Sequence, residues 1–207
     1  MGWTFEQKIK KAFDINWNLH ITKPIVFVEG ETDEIYLKKA KEVLGKQDLA
    51  IEIQWIGRIN GKGNREFTGD TALNHTKSFI LSNPGIIIQK IILLYDSDTN
   101  KPVEEHNNLF INCMPVINAN TLYKKGIENL LILPDNFPKD DFYEETVKCD
   151  EYGAKSIINK LDKTKLCDWM CKNLSKEEEK KCFAKFDEIF KIIKDIIQKQ
   201  MNQSKVK

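Results

Sequence analysis

The apolar positions of this chain fall into two alternating periods. Compact runs rich in β-branched and aliphatic residues, "IVFV" (25–28), "IEIQWI" (51–56), "KIILLY" (90–95) and "LFINCMPVI" (109–117), read as strands. The predicted spans are Ile25 to Val28, Ile51 to Trp55, Ile91 to Tyr95 and Phe110 to Met114. Between them the spacing becomes helical. Ile35, Tyr36, Ala40 and Val43 mark one helix, which Gly45 is placed to end, and a second runs from about Asp70 to Leu81 before the Pro84-Gly85 break. Strand and helix alternating through the first 135 residues predict an α/β fold with a central, mostly parallel sheet flanked by helices.

The ends of the chain read as helical. Phe5, Ile9, Ala12 and Phe13 give residues 1–21 a docking helix, and residues 136–207 form a helical C-terminal extension. That extension contains "EYGAKSIINKLDK" and a long amphipathic helix from Lys176 to about Met201, with Phe183, Phe186, Ile189, Phe190, Ile193 and Ile197 on one stripe. Packing in the chain's own core, or a dimer or partner interface, would each use such a stripe.

Composition narrows the class. The 207 residues suffice for one domain with a sizeable core, and the +1 net charge argues against a histone-like or acidic-tail protein. The opening "MGWTFEQKIKKAFD" lacks a signal-peptide apolar region, and no run approaches the roughly 18 apolar residues of a membrane span. A cytoplasmic protein with reduced thiols is the expectation. Cys167 and Cys171 sit one helical turn apart, but with no C-x-x-C knuckle or nearby histidine they read, with Cys182, as buried structural cysteines rather than zinc ligands.

Charge at the strand ends is harder to explain. "VFVEGETDE" (26–34) ends a buried strand in Glu29, bends at Gly30 and sets Asp33 in the first turn of the next helix. "YDSD" (95–98) ends another strand with Asp96 and Asp98 two residues apart, a spacing that aims both carboxylates one way in extended backbone. Ligand sites of parallel sheets gather at the carboxyl ends of the strands. Carboxylates crowded there repel one another unless a cation neutralises them, and hard oxygen ligands suit Mg²⁺ or Mn²⁺. The plainer alternatives are a solvated acidic turn for Asp96 and Asp98, and a macrodipole contact for Asp33.

The pair "VFVEGETDEIYL" and "ILLYDSD" resembles the Toprim domain of topoisomerases, bacterial primases and several nucleases, over about residues 22–135. "INGKGN" (59–64) and "KKGIENLL" (124–131) look like segments of the Toprim nuclease domain in the OLD (overcoming lysogenisation defect) family. The resemblance implies a Rossmann-like Toprim fold, two divalent ions and phosphodiester hydrolysis on DNA or RNA. It implies metal ligands at Glu29, Asp33, Asp96, Asp98 and Glu128, with Lys62 or Lys125 offsetting charge on the phosphate. Glu29 serves either as ligand or as general acid/base. Arg58, Lys62 and Arg65 form a modest basic loop that either meets phosphates or is simply solvated. No Walker A sequence occurs, so the ATPase to which OLD nucleases are usually joined is expected on a separate chain, in an anti-phage defence system, with a homodimer also possible. The alternatives are a small RNA-processing Toprim nuclease and a non-catalytic module that binds nucleic acid or a partner.

Overall fold

A computed structural model describes residues 23–117, 122–149, 151–152 and 155–203; the expected helix within residues 1–21 lies outside them. The chain forms β1 (Ile25–Val28), α1 (Glu31–Val43), β2 (Glu52–Trp55), β3 (Arg58–Ile59), β4 (Arg65–Glu66), α2 (Asp70–Ser82) and β5 (Ile91–Tyr95). It continues through β6 (Glu104–His106), β7 (Leu109–Cys113), β8 (Tyr143–Cys149), β9 (Lys155–Leu161), α3 (Lys163–Lys172), α4 (Lys176–Cys182) and α5 (Asp187–Gln203). All four strands expected from the sequence are present. With β6 they form a five-stranded sheet in the order β2-β1-β5-β7-β6, in which β6 alone is antiparallel.

Period-two alternation divides the sheet residues between two cores. Val26, Val28, Ile53, Ile92, Leu94 and Phe110 face one side, where Tyr36, Leu37 and Ala40 of α1 cover them. Ile91, Leu93, Tyr95, Leu109 and Ile111 face the other, under Leu73 and Ile80 of α2. On α1 the inward face is Asp33, Tyr36, Leu37 and Ala40, while Ile35 is exposed, one step away from the stripe expected. The helix does end at Gly45, in left-handed backbone (φ +66°), whose N–H bonds Glu42 O at 3.1 Å.

The C-terminal third departs from the sequence reading in two ways. "EYGAKSIINKLDK" is not helical: its Lys155–Leu161 is β9, paired antiparallel with β8. The β-branched pairs Thr146 with Ile158 and Val147 with Ile157 explain the choice, because they favour a pleated surface and support each other across strands. The long helix from Lys176 is also broken, at a 3₁₀ turn over Ala184–Phe186. The carbonyl of Cys182, freed by the break, accepts the Ile132 N–H at 3.0 Å.

The third is no appendage either. Leu166, Cys167 and Met170 of α3, with Phe183, Phe186, Ile189, Phe190, Ile193 and Ile196, join the core around Tyr36 and Leu37. The stripe once open to a dimer reading is therefore consumed by the chain's own packing and lends no support to a partner.

Candidate functional site

The connections from β1 and β5 leave in opposite directions, β1 toward β2 and β5 toward β7, so these adjacent strands flank the point where the topology reverses. In open α/β sheets the crevice past the carboxyl ends of such a pair is where ligands bind. Glu29 and Asp96 are the residues that follow β1 and β5. The Asp96 N–H donates to Glu29 Oε1 at 2.8 Å. Behind Glu29, its carbonyl accepts from Thr68 Oγ1 (2.7 Å) and from the Gly69 N–H (3.0 Å). The glutamate is fixed at both ends.

Asp33 lies beneath this pair, only 4% exposed, and its Oδ2 accepts the Gly30 N–H at 2.8 Å. That bond satisfies one N–H orphaned at the start of α1, so Asp33 caps its own helix while lending charge to the crevice. Asp98 stands further out, exposed, with Lys125 Nζ 3.7 Å from Oδ2.

The "GIEN" segment arrives from across the crevice, and each residue has a separate reason. Gly126 has φ +68°, and a Cβ there would stand 2.7 Å from Glu128 Oε2, 3.2 Å from Lys163 Nζ and 3.5 Å from Asp96 Oδ2. Ile127 is fully buried in the core. Glu128 is 1% exposed and accepts from Lys163 Nζ at 3.1 Å. Asn129 braces the turn, accepting the Ile117 N–H at 2.7 Å and donating to Tyr123 O at 2.9 Å.

Lys163 is the residue that the sequence did not reveal. It opens α3, just after the N-cap Asp162, whose carboxylate accepts the Lys165 N–H. Packing of α3 against α1 brings it over the acids. One lysine faces Glu29, Asp33, Asp96 and Glu128.

The electrostatics follow from that imbalance. Burial raises the Glu29 carboxyl above its ordinary value, and Asp70 and Asp98 add to this; the Asp96 N–H and Lys163 oppose it. Burial, then Asp96 and Glu128, hold Asp33 well above the usual carboxylate range. Burial and the neighbouring Glu29 push Asp96 up to about 7. Burial alone would lower the Lys163 ammonium, yet Glu128, with Asp96 and Asp33, keeps it above its ordinary value. The crevice therefore retains protons that ordinary carboxylates would have released by neutral pH.

Neither family models, nor curated proteins, nor solved structures yield a match to this chain.

A divalent ion suits the donor set in one specific respect. Asp96 Oδ1 is buried without a hydrogen-bond partner among the described residues, and an unpaired buried oxygen is costly unless something charged meets it. Among the described residues no three acidic, cysteine or histidine side chains close into a preformed cage. Magnesium does not require one, since it commonly keeps several waters and takes only one or two carboxylates.

The structure thus brings Glu29, Asp33, Asp96 and Glu128 together and leaves Asp98 and Lys125 paired at the rim. The expected basic loop fares differently. Arg58 pairs with Glu66 and Arg65 with Glu31, at 2.9 and 2.7 Å, and both guanidinium groups stay accessible to solvent in these pairs. Lys62 is exposed at the tip of the β3–β4 hairpin, in a tight turn closed by Asn60, whose Oδ1 accepts the N–H groups of Lys62 and Asn64 at 2.9 Å.

Gly126→Ala tests how closely the crevice is built. A Cβ 2.7 Å from Glu128 Oε2, on backbone at positive φ, should displace the Glu128–Lys163 pair and cost about 1–3 kcal/mol. Urea denaturation should register this, whereas Gly85→Ala, with open space around its Cβ, should change stability by less than about 1 kcal/mol.

Proposed function

We propose that this chain is a divalent-metal-dependent nuclease of the Toprim type, hydrolysing phosphodiester bonds of DNA or RNA with Mg²⁺ or Mn²⁺. The observation that carries the reading is the contact of Glu29 with Asp96 at the topological switch point, beside an unpaired buried oxygen of Asp96. The Toprim resemblance of "VFVEGETDEIYL" and "ILLYDSD" supplies the reaction class.

Asp96, Glu29 and Glu128 would hold the metal, with Asp98 as an outer ligand. When bound, such an ion polarises the phosphate and lowers the pKa of an attacking water. The protein's own groups do the rest. The Asp96 N–H fixes the Glu29 carboxylate, so the glutamate meets the substrate in one orientation. Asp33, held toward its protonated form, adds a ligand only when a cation offsets its burial. Lys163 is half-exposed, so its ammonium faces both the acids and the opening, where it can oppose charge that builds on a phosphate oxygen. The narrow space around Gly126 brings that ammonium close to Asp96.

An OLD-like defence role with a separate ATPase chain, in the cytoplasm, extends the same proposal. No described helix is long and apolar enough to cross a membrane. Purified protein incubated with plasmid, single-stranded DNA and tRNA should release fragments with Mg²⁺ or Mn²⁺ and none with EDTA. Intact substrates under every metal condition, with a folded protein, would overturn the reading.

A further inference from the structure

Phe67 is the one non-glycine residue among the described ones that combines a large apolar side chain with left-handed backbone (φ 54°). A bulky side chain in that region is strained, and the ring gains no burial in exchange, since it is 71% exposed. The Arg58 guanidinium lies over the ring, 5.0 Å from its centroid. Glu66 Oε2 holds Arg58 by Nε at 3.0 Å and by Nη2 at 2.9 Å. That pairing holds the guanidinium in place over the Phe67 ring.

Phe67 and Arg58 line a groove of about 560 Å³ together with Thr71 and His75 of α2. The volume falls in the range of small-ligand sites. Gly57, which also lines the groove, admits no side chain: its φ is +138°, and a Cβ there would strike Trp55 at 2.4 Å and the Glu66 carbonyl at 2.9 Å. One lining residue, Thr68, also bonds the strand end that carries Glu29. Thr68 and Gly69, the two residues after Phe67, are the ones that brace the Glu29 carbonyl.

We propose that this groove seats an unpaired base of a single-stranded nucleic acid, stacked on Phe67 beside Arg58, with its backbone running toward Glu29 and Asp96. The inference rests on the nuclease reading and adds the substrate form to it. An aromatic face with a guanidinium beside it is the chemistry that recognises a base without reading its edge, and a base inside a duplex offers no free face. The strain at Phe67 is then explained as the cost of presenting the ring outward.

Fluorescence anisotropy in EDTA, where cleavage is silent, tests this with labelled oligothymidine, oligouridine and a blunt duplex. Wild type should prefer the single strands, and the thymidine and uridine arms decide which sugar is favoured. Phe67→Ala should weaken single-strand binding by about 5- to 100-fold, as expected for loss of one stacked base, and leave duplex binding unchanged. Phe67→Trp should retain affinity. Phe67→Gly should lose affinity yet melt above Phe67→Ala, because glycine alone relieves the backbone. Unchanged single-strand affinity in Phe67→Ala, or an equal loss on the duplex, overturns the base-stacking groove and leaves the nuclease reading standing. If wild type binds no oligonucleotide and also releases no fragments with Mg²⁺, the nuclease reading fails and the groove assignment falls with it.

Discussion

Asp96→Asn is expected to melt above wild type in EDTA at pH 8 while losing most of the metal-dependent cleavage. The direction follows from the Asp96 carboxyl, pushed from its ordinary 3.8 to about 7 by burial and by Glu29. Between those values the folded chain binds more protons at this position than the unfolded chain. Stability from Asp96 is therefore full below about pH 4, is lost as pH rises through about 7, and levels off beyond. Asparagine keeps the shape and carries no charge, so the variant should lack this slope. The gap between variant and wild type should widen from pH 5 to pH 8, reaching about 1–3 kcal/mol, or roughly 3–10 °C in melting temperature for a chain of this size. Added Mg²⁺ should raise the wild-type melting temperature and leave the variant nearly unmoved. Cleavage should fall by about a hundred-fold or more. A variant that melts far below wild type in EDTA would make Asp96 a structural acceptor, and one that cuts at the wild-type rate would remove it from the metal site.

The opposite sign is expected for Lys163→Met. Its ammonium is the cation that the described crevice sets against Glu29, Asp33, Asp96 and Glu128, and it binds Glu128, which is 1% exposed. Removing one partner of a buried pair costs about 3–5 kcal/mol because the other charge stays buried. Lys163 is half-exposed, so a loss of about 2–3 kcal/mol is expected here. Methionine preserves most of the aliphatic length, which separates lost charge from lost packing. The double variant Lys163→Met/Glu128→Gln should recover part of the loss, giving a coupling energy of about 1–2 kcal/mol in a double-mutant cycle followed by urea denaturation. Additive losses in that cycle would show that the two side chains do not depend on each other. Saturating Mg²⁺ should narrow the gap between Lys163→Met and wild type, since a bound cation takes over part of the lysine's role.

These two residues also mark what the sequence could and could not disclose. Asp96 was legible because its signal is local: a buried run, "IILLY", has one side chain of reach before it must meet something charged. The same holds for Glu29 and Gly30, and for the four strands, whose apolar runs admit few alternatives. Glu128 was found only through its motif, although the structure gives Gly126, Ile127 and Asn129 independent physical reasons. Lys163 had no local signal. It is one of 32 basic residues, and what distinguishes it is the docking of α3 on α1, a tertiary fact.

The β8–β9 hairpin was missed for a related reason. Ile157, Ile158 and Leu161 also fit a helical period, and only the partner strand, with Thr146 and Val147, decides the matter. In the basic loop the partners were what the sequence hid: Glu66 adjoins Arg65 but bonds Arg58, and Glu31, which bonds Arg65, lies 34 positions away.

The place of Lys163 in the chain bears on how the protein is made. Synthesis is vectorial, at about 5–20 residues per second, and every acid of the crevice leaves the ribosome before the lysine that balances them. The sheet's outer cover, from Leu166 to Ile196, emerges later still. A nascent chain thus carries the acids before it can hold them in place, and a prematurely terminated product would carry them permanently unmatched. The crevice can assemble only after Lys163 and the helix that carries it have been made. Charge balance at the strand ends thus waits on a helix made after every acid that it balances.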